Sequence, residues 1–178
     1  LKGDRIPGKF ALSPDGQTIV FPMLEFQPRS KWNLWRSSSD GSGGISRVTA
    51  GNYFDTTPAF SADGKRIYFS SNRNSLRPRV WSVQADGVGG ISMLTQGDAF
   101  DQSPSQNSKS ERIFYQSMPR FSTNWQVWAI SPDGGLPTQM TEGAEPRVSP
   151  DGSTILFSVP DSESELLKLW VMGAQGTN

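Results

Sequence analysis

The side chains available for chemistry in this sequence are arginines, lysines, carboxylates and aromatics, because its 178 residues include neither histidine nor cysteine. That removes Ser-His-Asp and Cys-His catalysis from the segment, and with them the commonest metal ligand and the usual general base. No Gly-x-Ser-x-Gly elbow occurs either. Gly41-Ser-Gly-Gly44 and Gly87-Val-Gly-Gly90 have the composition of a phosphate loop, but neither continues into Lys-Ser or Lys-Thr, so both read as turns. No motif implies a metal or a cofactor, and the segment is expected to be non-catalytic. Three irregular stretches, 23–32, 72–79 and 118–125, gather Arg29, Lys31, Arg73, Arg77, Arg79 and Arg120 with Phe26, Trp32, Phe121 and Trp125. Guanidinium groups grip carboxylate, sulfate or phosphate bidentately, and aromatic rings add contact area. The expected binding residues are therefore Arg29, Lys31, Trp32, Arg73, Arg77, Arg79, Arg120, Phe121 and Trp125. The plainer alternative is a solvated loop rim, with Trp32 and Trp125 capping the strands that follow. The corresponding stretch near the C-terminus is acidic, with Asp161, Glu163 and Glu165.

The elements that must position these residues come from an internal repeat. Phe10-Ala-Leu-Ser-Pro-Asp-Gly-Gln-Thr-Ile-Val-Phe21, Pro58-Ala-Phe-Ser-Ala-Asp-Gly-Lys-Arg-Ile-Tyr-Phe69 and Pro146-Arg-Val-Ser-Pro-Asp-Gly-Ser-Thr-Ile-Leu-Phe157 match closely. A fourth copy, beginning at Pro104, keeps the spacing without the Asp-Gly. The copies start 48, 46 and 42 residues apart. Trp35, Trp81, Trp128 and Trp170 follow at nearly fixed distances, then Asp40-Gly41, Asp86-Gly87 and Asp133-Gly134, then Val48-Thr49, Leu94-Thr95 and Met140-Thr141. Each repeat reads as four strands, typified by Pro58 to Ser61 (A), Arg66 to Ser70 (B), Val80 to Gln84 (C) and Ile91 to Thr95 (D). Asp-Gly between A and B and between C and D is a hairpin signal, since glycine supplies φ > 0 without a Cβ clash. Runs such as Ile67-Tyr68-Phe69 predict a strand buried on both faces. Successive strands run antiparallel, so the long B–C loops that carry the arginines share a face with the D–A connections.

Composition limits the partners. Seventeen basic and seventeen acidic residues give a formal net charge of +0, which argues against bulk electrostatic binding of nucleic acid. No apolar run approaches the ~20 residues that span a bilayer. Eighteen glycines and thirteen prolines imply frequent turns rather than long helices.

The pattern Pro-x-Phe-Ser-x-Asp-Gly-Lys-x-Ile-x-Phe, followed by Val-Trp, Asp-Gly and Leu-Thr-x-Gly, resembles the TolB-like β-propeller repeats, distant relatives of WD-type repeats. The resemblance implies an all-β fold of four radially arranged, four-stranded antiparallel blades, at approximately 4–51, 52–97, 98–143 and 144–178, with strand A innermost. It also implies a periplasmic or extracellular bacterial scaffold, whose B–C face, with its arginines, is expected to receive a protein, peptide or anionic glycan partner. The alternatives are the substrate-gating propeller of a prolyl-oligopeptidase-like hydrolase, or the sensor domain of a regulator. In such a ring Asp55 and Asp101 could surround a channel and hold a cation. The structural reading is that each fixes a D–A turn through a backbone hydrogen bond, and Asp15, Asp63 and Asp151 read as plain turn residues. The four tryptophans are expected in equivalent, mostly buried positions. Leu1 to Gly3 look like the end of a strand D, whereas the fourth repeat stops after strand C. The chain is thus expected to be part of a larger ring, its open edges covered by missing blades or another subunit.

Overall fold

In the computed structural model, residues 8–26, 30–107, 109–161 and 166–176 are described. They form four antiparallel sheets, with no helix among them. Sheet 1 comprises β1 (Ala11–Leu12), β2 (Thr18–Glu25), β3 (Lys31–Ser38) and β4 (Ser46–Arg47). Sheet 2 comprises β5 (Thr56–Phe60), β6 (Arg66–Ser71), β7 (Arg79–Gln84) and β8 (Ser92–Met93). Sheet 3 comprises β9 (Phe100–Ser105), β10 (Ile113–Met118), β11 (Gln126–Ile130) and β12 (Thr138–Glu142). Sheet 4 has three strands among the described residues: β13 (Ala144–Val148), β14 (Thr154–Pro160) and β15 (Leu167–Gly173). Within each sheet the strands follow chain order.

The repeat motif explains the local geometry. In Ser-x-Asp-Gly, Asp63 accepts from the Ser61 hydroxyl (2.7 Å) and the Lys65 amide (3.0 Å), while Ser61 Oγ accepts from the Arg66 amide (2.8 Å). Asp15 and Asp151 make the same contacts in their own turns. The third repeat, without Asp-Gly, still closes the turn: the Ser110 amide donates to the Asn107 carbonyl (3.1 Å) as Gly64 does to Ser61 (2.9 Å). The repeated Thr shapes the outer strand. Leu34 and Val80 donate their amides to Thr49 Oγ1 (2.9 Å) and Thr95 Oγ1 (3.1 Å), so a hydroxyl continues what a longer ladder would supply. β4 and β8 are accordingly only two residues each, shorter than the Ile91–Thr95 strand read from sequence.

The sheets pack on one another in chain order. Val20 and Leu34 of sheet 1 meet Phe60, Ile67, Phe69, Trp81 and Val83 of sheet 2. Tyr68 and Val80 meet Ile113, Tyr115 and Ile130 of sheet 3, and Phe114, Val127 and Ala129 meet Ile155, Phe157 and Met172 of sheet 4. β6 and β10 are therefore buried on both faces, in keeping with the continuous apolar runs Ile67-Tyr68-Phe69 and Ile113-Phe114-Tyr115 that they carry. Backbone bonds tie the sheets together: the amides of Asp55, Asp101 and Gly143 donate to the carbonyls of Trp32 (2.9 Å), Pro78 (3.0 Å) and Trp125 (2.8 Å).

Gly143 sits in one of these ties at φ +138°, a region that strains any residue with a Cβ. An added Cβ would lie 2.6 Å from the Phe157 ring and 3.0 Å from the Ser158 carbonyl oxygen. Gly143→Ala is expected to cost at least the ~1–3 kcal/mol of a strained backbone site. Gly97→Ala, with φ +96° but nothing within 4 Å of the new methyl, is expected to cost less. Urea unfolding of the two variants measures the difference, and equal losses would contradict this packing.

The tryptophans are not equivalent in exposure. Trp81 is 5% exposed, Trp35 and Trp128 are half-buried, and Trp170 is 54% exposed, correcting the expectation of four mostly buried positions. Trp81 is flanked by β8, which pairs it with Met93, whereas β15 has no partner on its outer side among the described residues.

Candidate functional site

The B–C loops and D–A connections do share one face, and the loops divide their charged residues between internal and external work. Arg73 is buried. Its guanidinium lies 2.6 Å from the fully buried Asp55 carboxylate and donates to Ser71 Oγ at 3.0 Å. It also lies over the rings of Tyr53 (4.8 Å), Phe69 (5.4 Å) and Trp81 (5.7 Å). Arg79 is 2% exposed; it is 3.8 Å from Asp101 of the next sheet and donates to the Gly97 carbonyl. Arg73 and Arg79 are thus removed from the expected recognition set, because buried carboxylates consume their charges. The two aspartates are structural, but through side chains: Asp55 accepts from Ser71 Oγ and Asp101 from Ser117 Oγ, each at 2.6 Å. Burial pushes the Asp101 carboxyl above its ordinary value, outweighing the hydrogen bonds and Arg79 that pull it down.

Lys31 is also turned inward, with a largely covered side chain 3.5 Å from Glu25. Trp32 is half-buried; its amide donates to the Tyr53 carbonyl (3.0 Å) at the junction with sheet 2. Trp125 is half-buried too, edge-on to Phe100 at 5.8 Å between centroids. Arg29, Glu163 and Glu165 lie outside the described residues, as do Leu1 to Gly3.

What the structure leaves on the surface is a compact group around Asp98. Its carboxylate is 2.8 Å from Arg120 and 4.0 Å from Arg77, so two guanidinium groups share one carboxylate and the cluster keeps a positive excess. Arg120 lies over the Phe121 ring at 5.2 Å, and Phe121 is 93% exposed. Leu76, next to Arg77, is fully exposed. Asp98 and Leu76 were not singled out from sequence. Asp98 falls in a D–A connection, and the shared face of the two loop types was the available signal.

A second feature lies where the first strands of the sheets converge. Thr57, Ser103 and Glu145 each precede a proline of the repeat and hold positive φ, at 46°, 54° and 53°. Pairing slips at all three places, so each is a bulge that turns its side chain off the ladder. The result is a polar belt. Thr57 Oγ1 is 2.7 Å from Ser70 Oγ and accepts from the Ser103 amide (3.3 Å). Ser103 Oγ donates to Glu145 Oε1 (3.1 Å), and Lys9 and Arg147 pair with Glu145 Oε2. The belt borders a concavity of about 400 Å³ that also touches Phe10, Phe60 and Gln106. Burial by itself would raise the Glu145 carboxyl, but Lys9, Arg147 and Ser103 outweigh it and hold the group below its ordinary 4.5. A lowered folded value means stabilisation that is full above 4.5 and is lost as pH falls through the folded pKa. Glu145→Gln is expected to flatten the fall of melting temperature below pH 4.5 relative to the parent, as read by thermal melts across pH; identical pH profiles would exclude the cluster.

The model of the TolB beta propeller domain family matches residues 5–178. The chain belongs to this family. As a TolB-type propeller segment it resembles TolB from Acinetobacter baumannii (TM-score 0.76, 20% identity), covering 95% of this chain and 41% of that one. It resembles oligogalacturonate lyase in complex with manganese (TM-score 0.77, 13% identity), with 100% and 53% covered. A Mycobacterium tuberculosis puromycin-hydrolyzing peptidase also matches (TM-score 0.71, 12% identity), with 98% and 28% covered. At these identities the likeness carries the fold alone, and the segment spans between 28% and 53% of the length of these three chains. No curated protein matches it in sequence.

Proposed function

We propose that this TolB-type segment is a non-catalytic binding module of the bacterial cell envelope, its four sheets acting as radial blades of a larger ring. Its B–C loop face receives a protein or peptide partner that presents acidic side chains. The observation that carries this reading is the Asp98 cluster. Arg77 and Arg120 flank one carboxylate, and the apolar tips of Leu76 and Phe121 stand clear of the protein. Exposed aromatic and arginine groups are the usual energetic anchors of interfaces. An acidic side chain of the partner would displace Asp98 from one guanidinium and gain a charge-assisted hydrogen bond. Family membership and the likeness to TolB support an envelope setting.

The test is a photo-cross-linking amino acid placed at Phe121 in bacterial cells, with a second at Val88 on the opposite, C–D turn face. The reading predicts a discrete protein adduct from position 121, recovered from the envelope fraction, and none from position 88. Equal adducts from both positions, or adducts confined to position 88, would overturn it. Turnover of an oligosaccharide or peptide by the pure chain, abolished by a point substitution, would favour an enzyme instead.

A further inference from the structure

Six Asp-Gly pairs punctuate the sequence, and the structure holds five of them in a way that it does not hold the sixth. Their glycines are placed alike. The amides of Gly16, Gly41, Gly64, Gly87, Gly134 and Gly152 each donate to the carbonyl three residues earlier, at between 2.8 and 3.3 Å, and all six have positive φ. The carboxylates differ. Asp15, Asp40, Asp63, Asp86 and Asp151 each accept the amide two residues on, at between 2.8 and 3.0 Å. In the three A–B turns a serine hydroxyl, of Ser13, Ser61 or Ser149, adds a second bond. Among the described residues, no hydrogen bond reaches the Asp133 carboxylate. The residue two places on is Gly135, turned to φ 105°, and the Arg66 guanidinium is 4.0 Å away. The Asp133 side chain is 91% exposed, and Ser131, Gly135 and Leu136 around it are exposed too.

We propose that Asp133 is a modification site, the first of the six Asp-Gly pairs to rearrange to isoaspartate. In this reaction the Gly134 amide nitrogen loses its proton and bonds to Cγ of the neutral Asp133 carboxyl. One carboxyl oxygen leaves as water, closing a five-membered succinimide. Glycine permits the attack because no Cβ shields its nitrogen. Water then returns to either carbonyl. Breaking the bond from Cγ to nitrogen restores aspartate; breaking the original main-chain amide leaves the chain running through Cγ. The product has gained no atoms and keeps one carboxylate, but its main chain is longer by a methylene between β11 and β12. The other five carboxylates are protected twice over. A bond from an amide or hydroxyl favours the ionised form, which is not the electrophile, and it fixes Cγ within the turn. The Asp15, Asp40 and Asp63 carboxyls are accordingly held below their ordinary value, chiefly by the hydroxyls of Ser13, Ser42 and Ser61. Ser149 and Ser153 lower Asp151 to about 2.

The test is peptide mapping of the 178-residue chain during incubation in mildly acidic to neutral buffer, with an isoaspartate-directed carboxyl methyltransferase marking the product. Isoaspartate should accumulate at position 133 at least about tenfold faster than at 15, 63 or 151, the factor expected for a carboxyl that is neutral that much more often. In urea, where the turns are gone, the six positions should react at similar rates. Asp133→Glu should remove the product at 133, because the longer side chain would have to close a larger ring. Ser61→Ala should speed the reaction at 63 several-fold and leave 133 unchanged. Equal rates in the folded chain, or a faster site among the other five pairs, would overturn the proposal. So would a lead at position 133 that persists undiminished in urea, since the turns would then not be its cause.

Discussion

Replacing Asp55 with alanine is expected to cost about 3–5 kcal/mol of folding stability, the usual penalty for stranding one partner of a buried ion pair. Arg73 would be left buried among Tyr53, Phe69 and Trp81, its charge answered only by the Ser71 hydroxyl. Asp101→Ala is expected to cost less, because Arg79 sits 3.8 Å from that carboxylate and keeps the Gly97 and Pro78 carbonyls as acceptors. Adding Arg73→Met to Asp55→Ala should recover much of the loss, since a flexible apolar side chain can fill the aromatic box without a charge. Urea unfolding of the two single variants and the double variant decides the matter. A double variant no more stable than Asp55→Ala would show that the aspartate acts through Ser71 rather than through Arg73.

The second large effect separates two tryptophans that the repeat places in the same register. Trp81→Ala is expected to cost about 3–5 kcal/mol, as for a large buried aromatic. Trp81 is packed between sheets 1 and 2, lies near Arg73, and donates its indole N–H to the Ser71 carbonyl at 3.3 Å. Trp170→Ala is expected to cost much less in the monomer, because more than half of its surface is exposed. Equal costs in dilute solution would mean that the fourth sheet is covered by something belonging to the monomer.

Much of this architecture was legible in the sequence because the determinants are local. Ser-x-Asp-Gly builds its turn from contacts spanning five residues, and strand B declares its burial by being apolar at successive positions. The loop face was legible only in outline. Arg73, Arg77 and Arg79 are neighbours in the same stretch, yet Arg73 and Arg79 are buried and Arg77 is not. The difference lies in carboxylates 18 and 22 residues away in the chain, Asp55 and Asp101, whose burial no local pattern announces. A signal existed in the repeat itself: Ser71 and Ser117 each follow the aspartate by 16 residues and accompany it in the interior. The polar belt escaped notice because Thr57, Ser103 and Glu145 differ in type. What they share is the place before a proline and a backbone conformation that only coordinates reveal.

On the proposed reading, recognition falls to the surface cluster around Asp98 and not to the buried arginines beside it. Once the partner cross-linked at position 121 is in hand, the most direct measurement is its affinity for Arg77→Ala/Arg120→Ala and for Phe121→Ala, taken with the melting temperature of each variant. The predicted result is a loss of at least tenfold in affinity, about 1.4 kcal/mol. The double arginine variant should show a weaker salt dependence, and melting should hardly move, since surface changes usually cost within about 0.5 kcal/mol. Unchanged affinity in both variants would contradict the claim, as would a variant that binds normally and melts early.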